Sequence, residues 1–237
     1  MGFDYLKGNY WKDITREERL FCSHLYHKIN EPSKTKQFIE WLNKTKSPID
    51  DLFKNNLNLD ENTEWEVAYE SCFYRDLLKF YGFGVKEHFN ELSLVNNIGE
   101  DAVNLIKRTF DLALFSNDTI VIIEAKASNG LTTKQFQEFE IDERLINGVF
   151  KFLKIKMPKI VFIILAADKY FKSPSFTSPK GVGKLNLIDK QSKDFANKVD
   201  ANFRECKIDG LISWKQLLNS DIFKDEMFDR AERVYNN

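Results

Sequence analysis

The chain predicts an α/β protein, a mixed sheet flanked by helices, and three observations carry that prediction. FDLALF and TIVIIEAKA, on either side of Ser116-Asn117-Asp118, read as a hairpin. A helical pattern follows from Thr132 to about Ile146, and then KIVFIILAA, residues 159 to 167, forms a continuous apolar run of the kind buried on both faces of a sheet. Strand, strand, helix, strand requires a crossover to bring the last strand beside its partners. With 43% apolar residues and 21 Phe among 237, the chain has ample material for the core such a sheet needs.

In chain order, Thr15-Arg16-Glu17-Glu18 forms a capping box ahead of RLFCSHLYHKI, and TKQFIEWLNK follows Pro32. These predict a helical N-terminal extension, residues 1–62, packed on the core. EWEVAYESCFYRDLLKFY, Glu64 to Tyr81, predicts a long helix opened by Thr63 and closed by Gly82. The hairpin takes residues 105 to 115 and 119 to 127. FKSPSFTSPKGVGK, 171 to 184, is a surface loop by its Ser, Pro, Gly and Lys content. The tail, 168–237, is mixed α/β and ends in two short helices, one of them SWKQLL with a capping box from Ser213 to Gln216. The whole divides into the extension and one domain, 63–237, with its central motif in 63–167.

Charge narrows the function classes. The 35 basic and 36 acidic residues leave a formal charge of −1, so no net positive field marks the chain as a general polyanion binder. Binding of nucleic acid would have to be confined to one cleft. Cys22, Cys72 and Cys206 are odd in number and far apart, which fits a reducing, cytoplasmic setting, and no run approaches the roughly 20 apolar residues of a membrane span. Cys22, His24 and His27 share a helix but are too few for a zinc site, and the glycines at 82, 84, 181 and 183 complete no phosphate loop. Lysines 151, 154, 156 and 159 form a basic strip that reads as a solvated face, with phosphate contact, together with Lys134, as the alternative.

The chemistry concentrates in the hairpin. Strand alternation puts Ile122, Glu124 and Lys126 on one side and Val121, Ile123, Ala125 and Ala127 on the other. A turn centred on Asn117 brings Asp111 near Glu124 or Lys126. Two adjacent carboxylates repel, and a divalent cation with oxygen ligands is the usual compensation. A Glu124–Lys126 ion pair at a strand end is the plain structural alternative.

Asp111, twelve intervening residues (112–123), then Glu124-Ala125-Lys126 after an apolar strand resembles the PD-(D/E)XK nuclease superfamily, although Phe110 stands where the motif's name has proline. The resemblance covers residues 63 to 167 and implies a restriction-endonuclease-like core of order α-β-β-β-α-β. It implies that Asp111 and Glu124 bind Mg²⁺, with Mn²⁺ able to substitute, and that the Ala125 carbonyl is a further ligand. Lys126 would position or activate the water, and Glu70, preferred over Glu66 on the preceding helix, would serve a second metal or its waters. Gln135, with Phe139 one turn on, would touch the phosphate, although a capping box from Thr132 explains it equally well; Gln137 is its substitute. The implied activity is hydrolysis of phosphodiester bonds, in DNA first and with RNA open, by a protein that can act as a two-fold homodimer. The other reading is a non-catalytic nucleic-acid-binding or protein-interaction module.

Overall fold

The structure, a computed structural model, describes residues 17–84, 108–127, 130–131, 133–177 and 208–235. Helices α1 (Glu18–Ile29) and α2 (Pro32–Lys44) lead into strand β1 (Glu66–Ser71) and helix α3 (Phe73–Phe80). The hairpin β2 (Phe110–Phe115) and β3 (Thr119–Ala125) precedes the long helix α4 (Thr133–Leu153) and strand β4 (Lys159–Ala166). Two single turns, α5 (Asp168–Phe171) and α6 (Pro174–Thr177), strand β5 (Ile208–Ser213) and helices α7 (Trp214–Leu218) and α8 (Glu226–Arg233) complete the described chain.

The five strands lie in sequence order in one mixed sheet. β1, β2 and β3 form an antiparallel meander, while β4 runs parallel to β3 and β5 parallel to β4. Each face carries its own apolar cluster. One gathers Ala113, Ile122, Phe162 and Ile164 under Tyr74 and Leu78 of α3, Phe139, Ile146 and Val149 of α4, and Tyr170 and Phe171 of α5. The other gathers Leu112, Val121, Ile123 and Ile163 under Phe21 and Leu25 of α1, Phe38 and Leu42 of α2, Trp214 of α7 and Phe228 of α8. The sheet is thus the middle of three layers, and β3 and β4, apolar on both faces, are its centre.

Two predicted elements are overturned: the stretch predicted as a surface loop from 171 instead buries Phe171 and Phe176 in the core and makes the single turn α6, with 178–184 outside the described residues, and the long helix of 64–81 is broken. Residues 64 to 81 are not one helix but strand β1 followed by the short helix α3. The alternation that marks a strand is present: Trp65 and Val67 are buried while Glu64 and Glu66 are exposed. β1 pairs with β2 from Glu66 opposite Phe115 to Ser71 opposite Phe110, and that pairing outweighs the helical spacing of Glu70, Phe73 and Leu77. Elsewhere the hairpin, β4, both N-terminal helices and α7 fall where predicted, and the Ser213–Gln216 capping box is made in both directions. Among the described residues no helix is long and apolar enough to cross a membrane.

Gly130 marks a close approach behind the hairpin. A Cβ there would overlap the ring of Tyr170, whose hydroxyl accepts the Leu131 amide N–H at 3.0 Å. Gly130→Ala should therefore cost about 1–3 kcal/mol, since the ring is buried and cannot swing clear. Urea unfolding of the purified variant checks it.

Candidate acidic site at the end of the third strand

β2 and β3 pair up to Leu112 opposite Ile123, so the next positions, Asp111 and Glu124, stand across from one another where the hairpin opens. Asp111 Oδ2 accepts the backbone N–H of Ala125 at 2.9 Å. Lys126 donates from Nζ to Glu124 Oε1 at 2.9 Å, and both side chains are only 8% exposed. The Lys126 backbone is fixed as well: its N–H donates to Leu165 O at 2.7 Å and its carbonyl accepts the indole N–H of Trp214 at 2.8 Å. Val121, Ile123, Ala125 and Ala127 pack on one face while Ile122 packs on the other, the alternation the sequence predicts.

A residue the sequence reading missed completes the group. Glu18, in the first turn of α1, accepts the Ala127 N–H on Oε1 at 3.2 Å and faces Lys126 Nζ with Oε2 at 3.4 Å. The T-x-x-E spacing reads it as the far end of a capping box; the cap position is Glu17, which makes no side-chain cap, and Thr15 lies outside the described residues. The signal that could have found it is an acidic residue opening a helix whose apolar face must pack on the hairpin.

Glu70 does not take that place. It lies at the end of β1, not on a helix, in a left-handed conformation with φ +48°, and its Oε1 is held by Arg19 Nε at 2.7 Å. Glu66 is an exposed strand residue. The Gln135 backbone is in the first turn of α4, but its side chain and that of Gln137 lie outside the described residues, while Phe139 is buried against Phe162. The basic strip sits at the other end of the sheet. Lys159 opens β4 opposite Thr119, whereas Ala125 faces Leu165, six residues and roughly 20 Å further on. Lys159 Nζ donates to Leu57 O at 2.7 Å and Lys156 pairs with Asp118 at 2.9 Å.

Electrostatics at the site follow from burial. Burial, and secondarily the Glu124 charge, push the Asp111 carboxyl up to about 7, against the Ala125 N–H and Lys126, which favour its ionised form. Lys126 is pulled down by burial, but Glu124 and Glu18 outweigh this and its pKa ends above the ordinary lysine value. On the far side of Glu124, Arg108 Nη2 approaches Oε2 at 3.5 Å while gripping the buried Asp142. Burial is also the main force raising the thiol pKa of Cys22, one turn along α1 from Glu18, with Asp111, Glu18 and Glu124 adding to it.

Carboxylate and carbonyl oxygens are hard donors, the chemistry magnesium takes. These oxygens are engaged by Lys126, Arg108 and two amide N–H groups, and among the described residues no three acidic, His or Cys side chains stand together at coordinating geometry. Comparison of the chain with protein-family models, with curated proteins and with solved structures finds no match.

Proposed function

We propose that the protein is a metal-dependent nuclease of the PD-(D/E)XK kind that hydrolyses phosphodiester bonds in DNA. The observation that carries this reading is the convergence of Asp111, Glu124, Glu18 and Lys126 on the consecutive residues 124–127 at the open end of the hairpin. Asp111, Glu124, Glu18 and Asp142 are four carboxylates against the Lys126 ammonium and the Arg108 guanidinium, and a divalent cation would offset the negative excess that builds up as Asp111 ionises near pH 7. The run β2–β3–α4–β4, with β4 parallel to β3, supports it further, being the later part of the order that the resemblance implies; before it, α2 follows α1 and α3 separates β1 from β2, so the helix that resemblance places at residues 63–81 is supplied by α1 instead.

Asp111, Glu124 and Glu18 would hold the ion, Mg²⁺ or Mn²⁺, with the Ala125 carbonyl as a further donor. Bound there, it would supply Lewis-acid neutralisation of charge on the phosphodiester. Lys126, protonated at neutral pH beside two glutamates, is a poor proton acceptor. Its role is that of a fixed cation that orients the attacking water and offsets charge growing on the phosphate. Trp214 and Leu165 keep its backbone still while it does so. Glu18 replaces Glu70 as the helix-borne acid, and Gln135 is kept as the phosphate contact on α4.

Supercoiled plasmid with Mg²⁺ is the test, using wild type, Asp111→Ala, Glu124→Ala and Lys126→Ala, with RNA in a parallel lane. The wild type should cut DNA and each variant should lose at least about a hundredfold. No cutting by the wild type, or equal cutting by all, overturns the proposal. The second reading, a non-catalytic module with a structural ion network, is favoured by the fact that each of these carboxylates already has a partner. Calorimetric titration with Mn²⁺ separates the two: a nuclease site binds the ion and loses it in Asp111→Ala, a structural network takes up none.

A further inference from the structure

Arg108 stands two residues before β2 and is anchored on its side remote from Glu124. Its Nε lies 3.2 and 3.1 Å from Asp142 Oδ1 and Oδ2, and its Nη2 lies 2.8 Å from Oδ2. Asp142, on α4, is 1% exposed, and its Oδ1 also accepts the hydroxyl of the buried Tyr74 of α3 at 3.0 Å. The same hydroxyl approaches the Asp142 carbonyl at 3.1 Å. The guanidinium carbon also lies over the Phe110 ring, 5.7 Å from its centroid. So constrained, the guanidinium presents Nη2 to Glu124 Oε2 at 3.5 Å, while the other oxygen of Glu124 receives Lys126 at 2.9 Å.

A carboxylate with one donor can pivot about it; a cation held 3.5 Å from its second oxygen as an ion pair biases that pivot toward one orientation. An arginine–aspartate pair with its carboxylate buried and its guanidinium partly so adds little to stability compared with apolar side chains of the same volume, so its worth lies in what it orients. We infer that Arg108 is a positioning residue for Glu124, set in place by Asp142 and Tyr74, and that this three-residue chain biases the carboxylate toward the orientation a divalent cation meets. The inference rests on the nuclease reading above. Arg108 acts through Glu124 and touches no reacting atom. The fork geometry matters more than the charge, because only a guanidinium can hold Asp142 with two nitrogens and still reach Glu124.

Tyr74→Phe removes one hydroxyl from the chain, and Arg108→Lys keeps the charge but loses the fork. In both variants Mn²⁺ affinity, measured by calorimetry, should fall about tenfold, and the Mg²⁺ concentration for half-maximal cutting should rise by the same factor. The KM for DNA should stay within about twofold of the wild type, and excess Mg²⁺ should restore the rate, because the ligands themselves are intact. Unchanged metal affinity together with a lowered melting temperature in Tyr74→Phe would reduce the chain to a structural tie and overturn the inference. Should the wild type itself bind no Mn²⁺, the nuclease reading fails on its own account. A crystal structure of Arg108→Lys then decides the positioning separately: Glu124 Oε2 should swing away from its present direction, and an unmoved carboxylate refutes it.

Discussion

Glu18→Gln should lower Mg²⁺-dependent DNA cleavage by at least about a hundredfold, while Glu70→Gln leaves it within about threefold of the wild type. The two substitutions are chemically the same, and what separates them is where each carboxylate is held. Glu18 Oε2 faces Lys126 at 3.4 Å and its Oε1 is on the Ala127 N–H, within the group that Asp111 and Glu124 complete. Glu70 is turned onto Arg19, in a pair whose side chains are 35% and 67% exposed, and an exposed pair of that kind contributes little. A glutamine at 18 keeps an acceptor for Ala127 but removes the charge that balances Lys126 and would hold a cation. Initial cutting rates at saturating Mg²⁺ read the difference. Equal losses at both positions would mean that the helix-borne acid has been misassigned.

Asp111→Asn should make the metal-free protein more stable at pH 8, by roughly 2–3 kcal/mol, with the gain shrinking toward pH 4. The Asp111 carboxyl titrates near 7 in the folded chain, chiefly through burial and then through Glu124, against the ordinary 3.8. A raised acid pKa means that the folded state holds a proton the unfolded state has released. The stabilisation is therefore complete below about pH 4 and falls as pH rises to about 7, beyond which the ionised carboxylate is a constant burden. Asparagine never ionises yet still offers an oxygen to the Ala125 N–H, which is why the gain appears only on the alkaline side. The figure is held below the full shift because Asp111 is half-buried and water screens part of the repulsion. With Mg²⁺ present the order should reverse, since a bound cation stabilises the wild-type carboxylate and has no charge to grip in the variant. Urea unfolding at pH 4, 6 and 8, with chelator and with Mg²⁺, measures both halves. A flat difference across that range would show that Asp111 is not strained when ionised.

Some elements are legible because their cause is local. The run IVII before Glu124 and Lys126, preceded by a Ser-Asn-Asp turn, reads as a hairpin whose turn length places Asp111 near Glu124 or Lys126, and the register of Leu112 opposite Ile123 chooses Glu124. KIVFIILA is apolar without interruption, and such a run finds both faces covered at the centre of a three-layer fold. The Ser213–Gln216 box is a contact between residues three apart, so sequence contains all of it.

The stretch from Glu64 to Tyr81 carries two periods at once, and local pattern alone cannot rank them. Trp65 and Val67 alternate as in a strand, while Glu70, Phe73 and Leu77 repeat as on a helix. The partner β2, some forty residues later, selects the strand for the first part. That choice moves Glu70 off the helix where its role was expected. The third carboxylate comes instead from Glu18, 108 residues before Lys126, and Asp142 and Tyr74 reach Glu124 only through Arg108. By itself the sequence determined the strand-borne acids and lysine and the face they share, because strand alternation and turn length act over a few residues. Which helix delivers the remaining acid, and which buried pair steadies Glu124, was decided by packing on the two faces of the sheet, because contacts between distant segments exist only once the layers have closed.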